Sequence, residues 1–534
     1  MKKNLPTVAY FCMEYGLRND LKWYAGGLGI LAGDYLKGAK DAAYPIVGVG
    51  IKWKQGYTDQ LIDADGKAYD TYHNYDYELT DTGVEVQVDI RNRSVFAKVW
   101  KVDGFGNADL YLLDTDLDKN EDAWITGQLY GWFEEERVAQ EMILGVGGMR
   151  ALDALGIEID RYHFNEGHAV FAGLEHMRTR MAAGESFDSA WGKTRACTVF
   201  TTHTPVIQGN ETHPLSRLRY MGVADGFLDV QMEAIGGEPF NMTVAALRLS
   251  KKANAVAELH AVTANEMWKD IEGRCKIVGI TNGIHLPTWV DDSILAAVDN
   301  AADLWEAHMR NKRELLALVK QRNGVELDAH VLTIGFSRRA APYKRSDFIF
   351  SDESIIRDWF DRNLVQIIFS GKAHPLDDKG KAIVERLVAM SRKYPKNVVF
   401  LENYDMTIGA ALTRGADVWL NNPRRPKEAS GTSGMKAAMN GGLNCSILDG
   451  WWPECCEHGV NGWQFGDGFE SANEETQDAH DLIKLYQVLN DEVIPLYYSN
   501  NMKWIEMMKN SIISSKEKFG IKRMLDEYYT KLYE

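Results

Sequence analysis

The segment RRPKEASGTSGMKAAMNGG, residues 424–442, holds the residue types with the most chemical potential in this sequence. Its small and polar stretch, with Ser430, Gly431, Thr432 and Ser433, leads into an alanine-rich helical turn that carries Lys436. Backbone N–H groups at such a loop-to-helix start suit an anion. A lysine just beyond them has two uses. It is either a surface charge that snorkels to water, or an amine that condenses with an aldehyde cofactor whose phosphate rests on those amides. The spacing is not that of a Gly-x-x-x-x-Gly-Lys-Ser/Thr nucleotide loop. A second concentration of charge, Arg338, Arg339, Lys344 and Arg345, follows the apolar run VLTIGF and encloses Pro342. It reads either as a solvated run or as a rigid loop at a binding edge.

Polar residues also gather at the ends of predicted strands. RYHFNEGH, ACTVFTTH and KIVGITNG place Glu166, His168, His203 and Asn282 after apolar runs, with His285 just past the last. Taken singly, each has an ordinary structural reading: His203 a satisfied histidine, Glu166 a first-turn acid favoured by a helix dipole, Tyr404 and Trp289 core aromatics. Their shared position at strand ends is what groups them.

The elements that must position these residues follow from periodicity. In the first half, a strand over residues 7–13 leads into the glycine-rich YAGGLGILAGDYLKGAKDA, which becomes helical, and VEVQVDI, SVFAKVWKV and ADLYLLD read as antiparallel strands inserted into this part. In the second half, VLTIGFSRR, LVQIIFSGKA, NVVFLENY, ADVWLNN and NCSILDG are five apolar strand candidates with polar ends, four of them linked by helix-length stretches. In a parallel sheet those ends share the carboxyl edge, where ligands bind. The reading is an α/β chain of two facing domains with a deep central cleft. The first spans residues 1–289, the second 290–505, and a helical segment over 506–534 packs back on the first.

With 534 residues, one hydrophobic core is too few. A net charge of -16 argues against nucleic acid or an anionic membrane as partner, leaving room for a local basic site. No run of about 18 apolar residues occurs. Lys2 and Lys3 precede an apolar stretch that Pro6 and Glu14 cut short of a signal peptide, so the cytoplasm is expected. Six cysteines form no Cys-x-x-Cys pair, and no metal site is expected.

The stretch from Glu428 through Lys436 to Asn440, EASGTSGMKAAMN, closely resembles the pyridoxal-phosphate attachment signature of the α-glucan phosphorylases, which act on glycogen, starch and maltodextrins. GGLG at 26–29 resembles the family's glycine loop, with Gly27 beside the cofactor phosphate and Leu28 against the sugar. RRAAPYKR at 338–345 resembles its basic loop, in which Arg339 binds the substrate phosphate and Lys344 reaches both phosphates. NEGH at 165–168 resembles a sugar-site segment, with Glu166 where larger members carry Asp, and with His168 beside it. By the same resemblance His203 contacts the glucosyl 6-hydroxyl and Asn282 a sugar hydroxyl. Trp289, Tyr404, Thr432 and Ser433 line the cofactor, and Glu428, Ser430 and Gly431 contact the 3- and 4-hydroxyls and the incoming phosphate.

The resemblance implies two Rossmann-like domains of the GT-B type and reversible phosphorolysis of an α-1,4-glucan or maltodextrin with inorganic phosphate. The product is α-glucose 1-phosphate with retained configuration, and Lys436 anchors pyridoxal 5'-phosphate. The cofactor's 5'-phosphate then faces the substrate phosphate as acid and base partner, with Arg339, Lys344, His203, Glu428 and Lys436 as the catalytic set. Nothing before Trp23 matches the family's regulatory region, so allosteric control is not expected, while a homodimer is the family's usual state. The competing readings are a nucleotide-sugar glucosyltransferase of the glycogen-synthase kind, an aminotransferase-like pyridoxal enzyme, and a glucan-binding protein that has lost turnover. A glycosidase-like double displacement would need a carboxylate nucleophile, for which Glu428 is the candidate that geometry must test.

Overall fold

Two parallel or mostly parallel sheets organise the chain, one in each of two compact units. The computed structural model describes residues 5–534, so the amino-terminal lysines lie outside it. The first unit comprises the chain up to Thr58, Tyr72–Thr281 and Met524–Glu534; the second comprises Asp59–Thr71 and Asn282–Arg523.

The first unit is built on a nine-stranded sheet in the order Lys276–Gly279, Lys252–Ala255, Thr198–Thr202, Arg161–Asn165, Val8–Phe11, Ile46–Ile51, Leu110–Asp114, Arg93–Val102, Thr80–Ile90. Neighbours from Lys276–Gly279 to Leu110–Asp114 are parallel. The last two strands are antiparallel. The all-strand excursion expected from the sequence therefore extends the edge of the main sheet, because Leu110–Asp114 pairs with Ile46–Ile51 on one side and Arg93–Val102 on the other. The central strands read as continuous apolar runs because helices cover a parallel sheet on both faces. Val8, Ala9, Phe11, Val49, Leu110 and Leu112 are all fully buried.

The second unit carries a six-stranded, wholly parallel sheet, in the order Val398–Leu401, Val365–Ser370, Leu332–Ser337, Val418–Asn421, Leu443–Ile447, Gly462–Phe465. The chain winds outward from Leu332–Ser337 in one direction and then in the other. Strand order therefore reverses between Leu332–Ser337 and Val418–Asn421, and in open α/β sheets ligands bind outside the carboxyl ends at such a reversal. The first sheet reverses in the same way between Val8–Phe11 and Arg161–Asn165.

The boundaries differ from those read off the sequence. Residues 282–289 join the second unit because Ile284 N–H donates to Phe519 O at 2.9 Å and Ile521 N–H to Ile284 O at 2.8 Å. The hairpin of Asp59–Ile62 and Ala68–Thr71, drawn from the first half of the chain, also belongs there. Gln60 donates to Ala373 O at 3.1 Å and accepts from Ala373 N–H at 2.9 Å, the pairing a missing strand neighbour would make. Of the closing segment, only Met524–Glu534 returns to the first unit. There Tyr533 OH lies 2.7 Å from His163 Nδ1 and bonds Tyr35 OH, and Tyr44 stacks on Tyr529. No helix among the described residues is long and apolar enough to cross a membrane.

Candidate active site in two sets of residues

In the second unit, the loops that follow the two strands at the reversal meet through charge. Arg338 follows Leu332–Ser337 directly and bonds Asn421, the last residue of Val418–Asn421, and Glu428 in the loop beyond it. Lys344 Nζ donates to the same Glu428 Oε2 at 2.6 Å. All three charged side chains are buried. Burial alone would raise the Glu428 carboxyl, but Arg338 and then Lys344 draw it down to about 2. Two cations around one carboxylate leave a net positive charge at this edge. Arg339 is exposed, so the arginine that shares Glu428 with Lys344 is its neighbour.

The loop after Glu428 is held against the turn that follows strand Leu443–Ile447. Asp449, fully buried, accepts the Glu428 N–H at 2.8 Å and the Gly450 N–H at 2.8 Å, and Trp451 N–H donates to Ser430 O at 2.9 Å. Gly450 has φ +59, and a Cβ there would stand 2.2 Å from Ser430 O, so glycine is required for this approach. Burial, then the Glu428 charge, pushes Asp449 up to about 7. Gly431, at φ 86, turns the chain into helix Thr432–Met439, whose first amides have no partners within the helix.

Lys436 sits on the second turn of that helix, buried, with Nζ 3.4 Å from the Trp289 ring centroid. Asn440, one turn further, locks this pair. Its Nδ2 donates to Lys436 O at 2.8 Å and to Trp289 O at 3.1 Å, and its Oδ1 accepts the Asp291 N–H at 2.9 Å. Tyr404, pushed up to about 12 by burial, lies where a Cβ on Gly409 would meet its hydroxyl at 2.5 Å. Asn282 is buried, and its Oδ1 has no hydrogen-bond partner among the described residues, as is true of Ser430 Oγ.

In the first unit, a second set gathers at the reversal of that sheet. Glu166 caps Arg161–Asn165 with φ 73, an uncommon conformation for a non-glycine residue. Its carboxylate accepts from His203 N–H and from Thr204 Oγ1, each at 2.7 Å. His203 Nε2 lies 2.7 Å from Asn165 Oδ1, and burial, with His260 and His168 adding, pushes the imidazole down to about 3. Gly27 opens helix Gly27–Ala42 beside Leu28, and a Cβ at Gly26 or Gly27 would meet nothing within 4 Å. That open side suits a ligand against the backbone. Glu14, at the end of Val8–Phe11, fixes the loop by accepting Ala25 N–H at 2.6 Å and Gly26 N–H at 3.1 Å. The sequence reading gave no individual site role to Glu14, Arg338, Asn440 or Asp449. The one signal for Glu14 was an acid directly after an apolar strand.

His168 lies in a further cluster whose ligand atoms, from Glu141, His168 and Glu211, are all within 4.8 Å of one another. Arg137 donates to Glu211 at 2.8 Å and holds it low against the effect of burial. Burial, then the Glu211 charge, raises Glu141 well above the carboxylate range.

An α/β chain with a buried lysine behind a helix start, and cations gathered at a sheet reversal, has an arrangement suited to binding anionic groups. A family model for carbohydrate phosphorylases matches residues 295–531. The chain is 39 % identical to a maltodextrin phosphorylase of Thermococcus litoralis, over 98 % of this chain and 70 % of that protein. It is 36 % identical to a glycogen phosphorylase of Aquifex aeolicus, over 98 % of this chain and 86 % of that one. An uncharacterised protein of Methanocaldococcus jannaschii is 36 % identical over 99 % of this chain and the whole of its own length. The chain belongs to the carbohydrate phosphorylase family.

Proposed function

We propose that this protein catalyses the reversible phosphorolysis of α-1,4-glucans, taking inorganic phosphate and a maltodextrin to α-glucose 1-phosphate with retention, as a two-domain glucosyltransferase of the GT-B type with Rossmann-like domains. The observation that carries the reading is the Arg338–Glu428–Lys344 cluster at the sheet reversal, one loop away from a buried Lys436, in a chain of this family. A phosphate needs oriented cations in a place shielded from water, and these two are already held in position by a buried carboxylate.

The residues present fit pyridoxal 5'-phosphate. Lys436 offers a buried amine over an indole face, Ser430 offers an unpartnered buried hydroxyl, and the first turn of Thr432–Met439 offers backbone N–H groups. Lys436 would hold the group, with Trp289, Tyr404, Thr432, Ser433 and Lys344 of the same unit around it. When bound, it supplies a phosphate that serves as acid and base partner for the substrate phosphate.

The chain's own groups do the rest. Arg338 and Lys344, with Arg339 nearby in sequence, bind and orient the incoming phosphate. Glu428, ionised throughout the working range, accepts from sugar hydroxyls rather than acting as a nucleophile, since two cations hold its charge. His203 is neutral and gives its Nε2–H to Asn165 Oδ1, so it offers the Nδ1 lone pair to the glucosyl unit, with Glu166, His168 and Leu28 of the same unit.

Proton NMR of a mixture with phosphate and maltoheptaose tests this: α-glucose 1-phosphate should accumulate. Consumption of UDP-glucose or ADP-glucose with phosphate ignored would give the protein to the synthase-like class instead. Borohydride reduction followed by peptide mapping should place the cofactor on Lys436, and a fully active protein with an adduct elsewhere would end that assignment.

A further inference from the structure

The loop that carries Glu428, Ser430 and Gly431 has no regular structure of its own between strand Val418–Asn421 and helix Thr432–Met439. Something else must set where its side chains stand. The turn after Leu443–Ile447 does so at two points, and both are hydrogen bonds to the loop's backbone. Asp449 takes the Glu428 N–H at 2.8 Å, and Trp451 N–H meets Ser430 O at 2.9 Å. The Trp451 indole nitrogen lies 2.9 Å from where a Cβ of Gly434 would stand, so the same turn also abuts the first turn of the helix that bears Lys436.

We propose that Asp449 is a positioning residue for the reaction: its buried carboxylate, anchored on Gly450 N–H and bonded to Glu428 N–H, sets the place from which Glu428 meets both the cations and the sugar. The inference rests on the role given to Glu428 above. A carboxylate suits this task better than an amide. It presents an acceptor on each oxygen, so it can hold two N–H groups at once, whereas asparagine must turn one donor toward a donor. The two carboxylate bonds of Asp449 both go to backbone N–H groups, and burial disfavours its ionised form. An acid kept at a buried position against that cost is doing a job of orientation.

The test compares Asp449→Asn, Glu428→Gln and the double variant as holoenzymes, with kcat and KM measured for maltoheptaose and for phosphate. Asp449→Asn should lower kcat/KM by roughly tenfold to a hundredfold, the scale of one hydrogen bond to a charged group, while cofactor content stays at the parent level. In the Glu428→Gln background the same change should cost less than about threefold, because the group it positions is already impaired. Fully multiplicative losses would overturn the proposal, and so would loss of cofactor from Asp449→Asn. Glu428→Gln at the parent rate would instead remove the role of Glu428 on which it stands. If Asp449→Asn does not fold, Asp449→Ser takes its place in the cycle, and failure of both to fold would make Asp449 a core residue and end the proposal.

Discussion

At the residue scale, two titratable groups make distinct predictions about pH. Glu428 is held down to about 2 by Arg338 and Lys344. A carboxyl depressed in the folded state contributes stability above its unfolded value of about 4.5 and loses it as pH falls toward the folded one. Urea midpoints of the parent should therefore drop between about pH 4.5 and about 2, and Glu428→Gln should show a shallower drop across that window. His203 is likewise pushed down, to about 3, and is neutral wherever the protein is assayed. His203→Asn should lower kcat/KM by about tenfold to a hundredfold, as loss of a positioned polar contact does, without moving any limb of the pH–rate profile between about pH 5 and 8. A limb near 6.5 that disappears in the variant would show that the histidine titrates during turnover.

The charge at Arg338 and Arg339 shows how residue-level legibility stops. The basic run and its place after an apolar strand are plain in the sequence, and the expectation gave the phosphate to Arg339. Both arginines lie just past strand Leu332–Ser337, where Arg338 is bonded to Glu428 and Arg339 is exposed. Only the pairing of Leu332–Ser337 with Val418–Asn421 decides which of the two meets that carboxylate, and it turns Arg338 toward Glu428. Arg338→Ala should therefore cost more stability than Arg339→Ala. Removing one partner of a buried charge cluster costs about 3–5 kcal/mol, against less than about 1 for an exposed arginine. Chemical denaturation of the two variants checks the order.

At the element scale, the two sites depend on close backbone approaches that glycine alone permits. Helix Gly27–Ala42 docks so tightly that a Cβ at Gly33 would lie 2.0 Å from Gly16 O. Gly33→Ala should destabilise the protein by about 1–3 kcal/mol or more, since the obstacle is backbone that cannot rotate away. At Gly27, where a Cβ meets nothing, alanine should leave stability within about 0.5 kcal/mol while weakening activity, because the side chain would fill the space offered to the ligand. Equal losses of stability at the two positions would contradict this division between packing and binding glycines. The glycine pattern itself was visible as a loop leading to a helix, but its sequence does not say which glycines face backbone and which face open space.

At the scale of the whole molecule, the chain crosses between its units more often than a two-domain sequence suggests. The hairpin Asp59–Thr71 leaves the first unit for the second, and Met524–Glu534 makes the return trip. The closing residues are core, with Tyr528, Tyr529, Leu532 and Tyr533 all buried. Each is worth on the order of 1.5–3 kcal/mol of burial, so deletion of residues 528–534 should unfold the first unit or lower its melting temperature by well over 5 °C. A truncated protein that melts with the parent would show the terminal segment to be dispensable.

The sequence by itself determined what depends on local pattern. The apolar runs that become parallel strands, the polar residues at their carboxyl ends, the glycine loop, the basic run and the lysine behind a helix start are all properties of neighbours along the chain, set by side-chain period and backbone preference. The tertiary structure alone decided what depends on distant segments meeting. It placed the Trp289 ring over Lys436, bound Asp449 to the Glu428 backbone, seated a hairpin from the first half against Ala373, and buried the final tyrosines beneath His163. Those contacts join residues from tens to hundreds of positions apart. What selects them is the burial of whole surfaces and the completion of hydrogen bonds at sheet edges and loops, and neither leaves a period or a spacing for a linear reading to find.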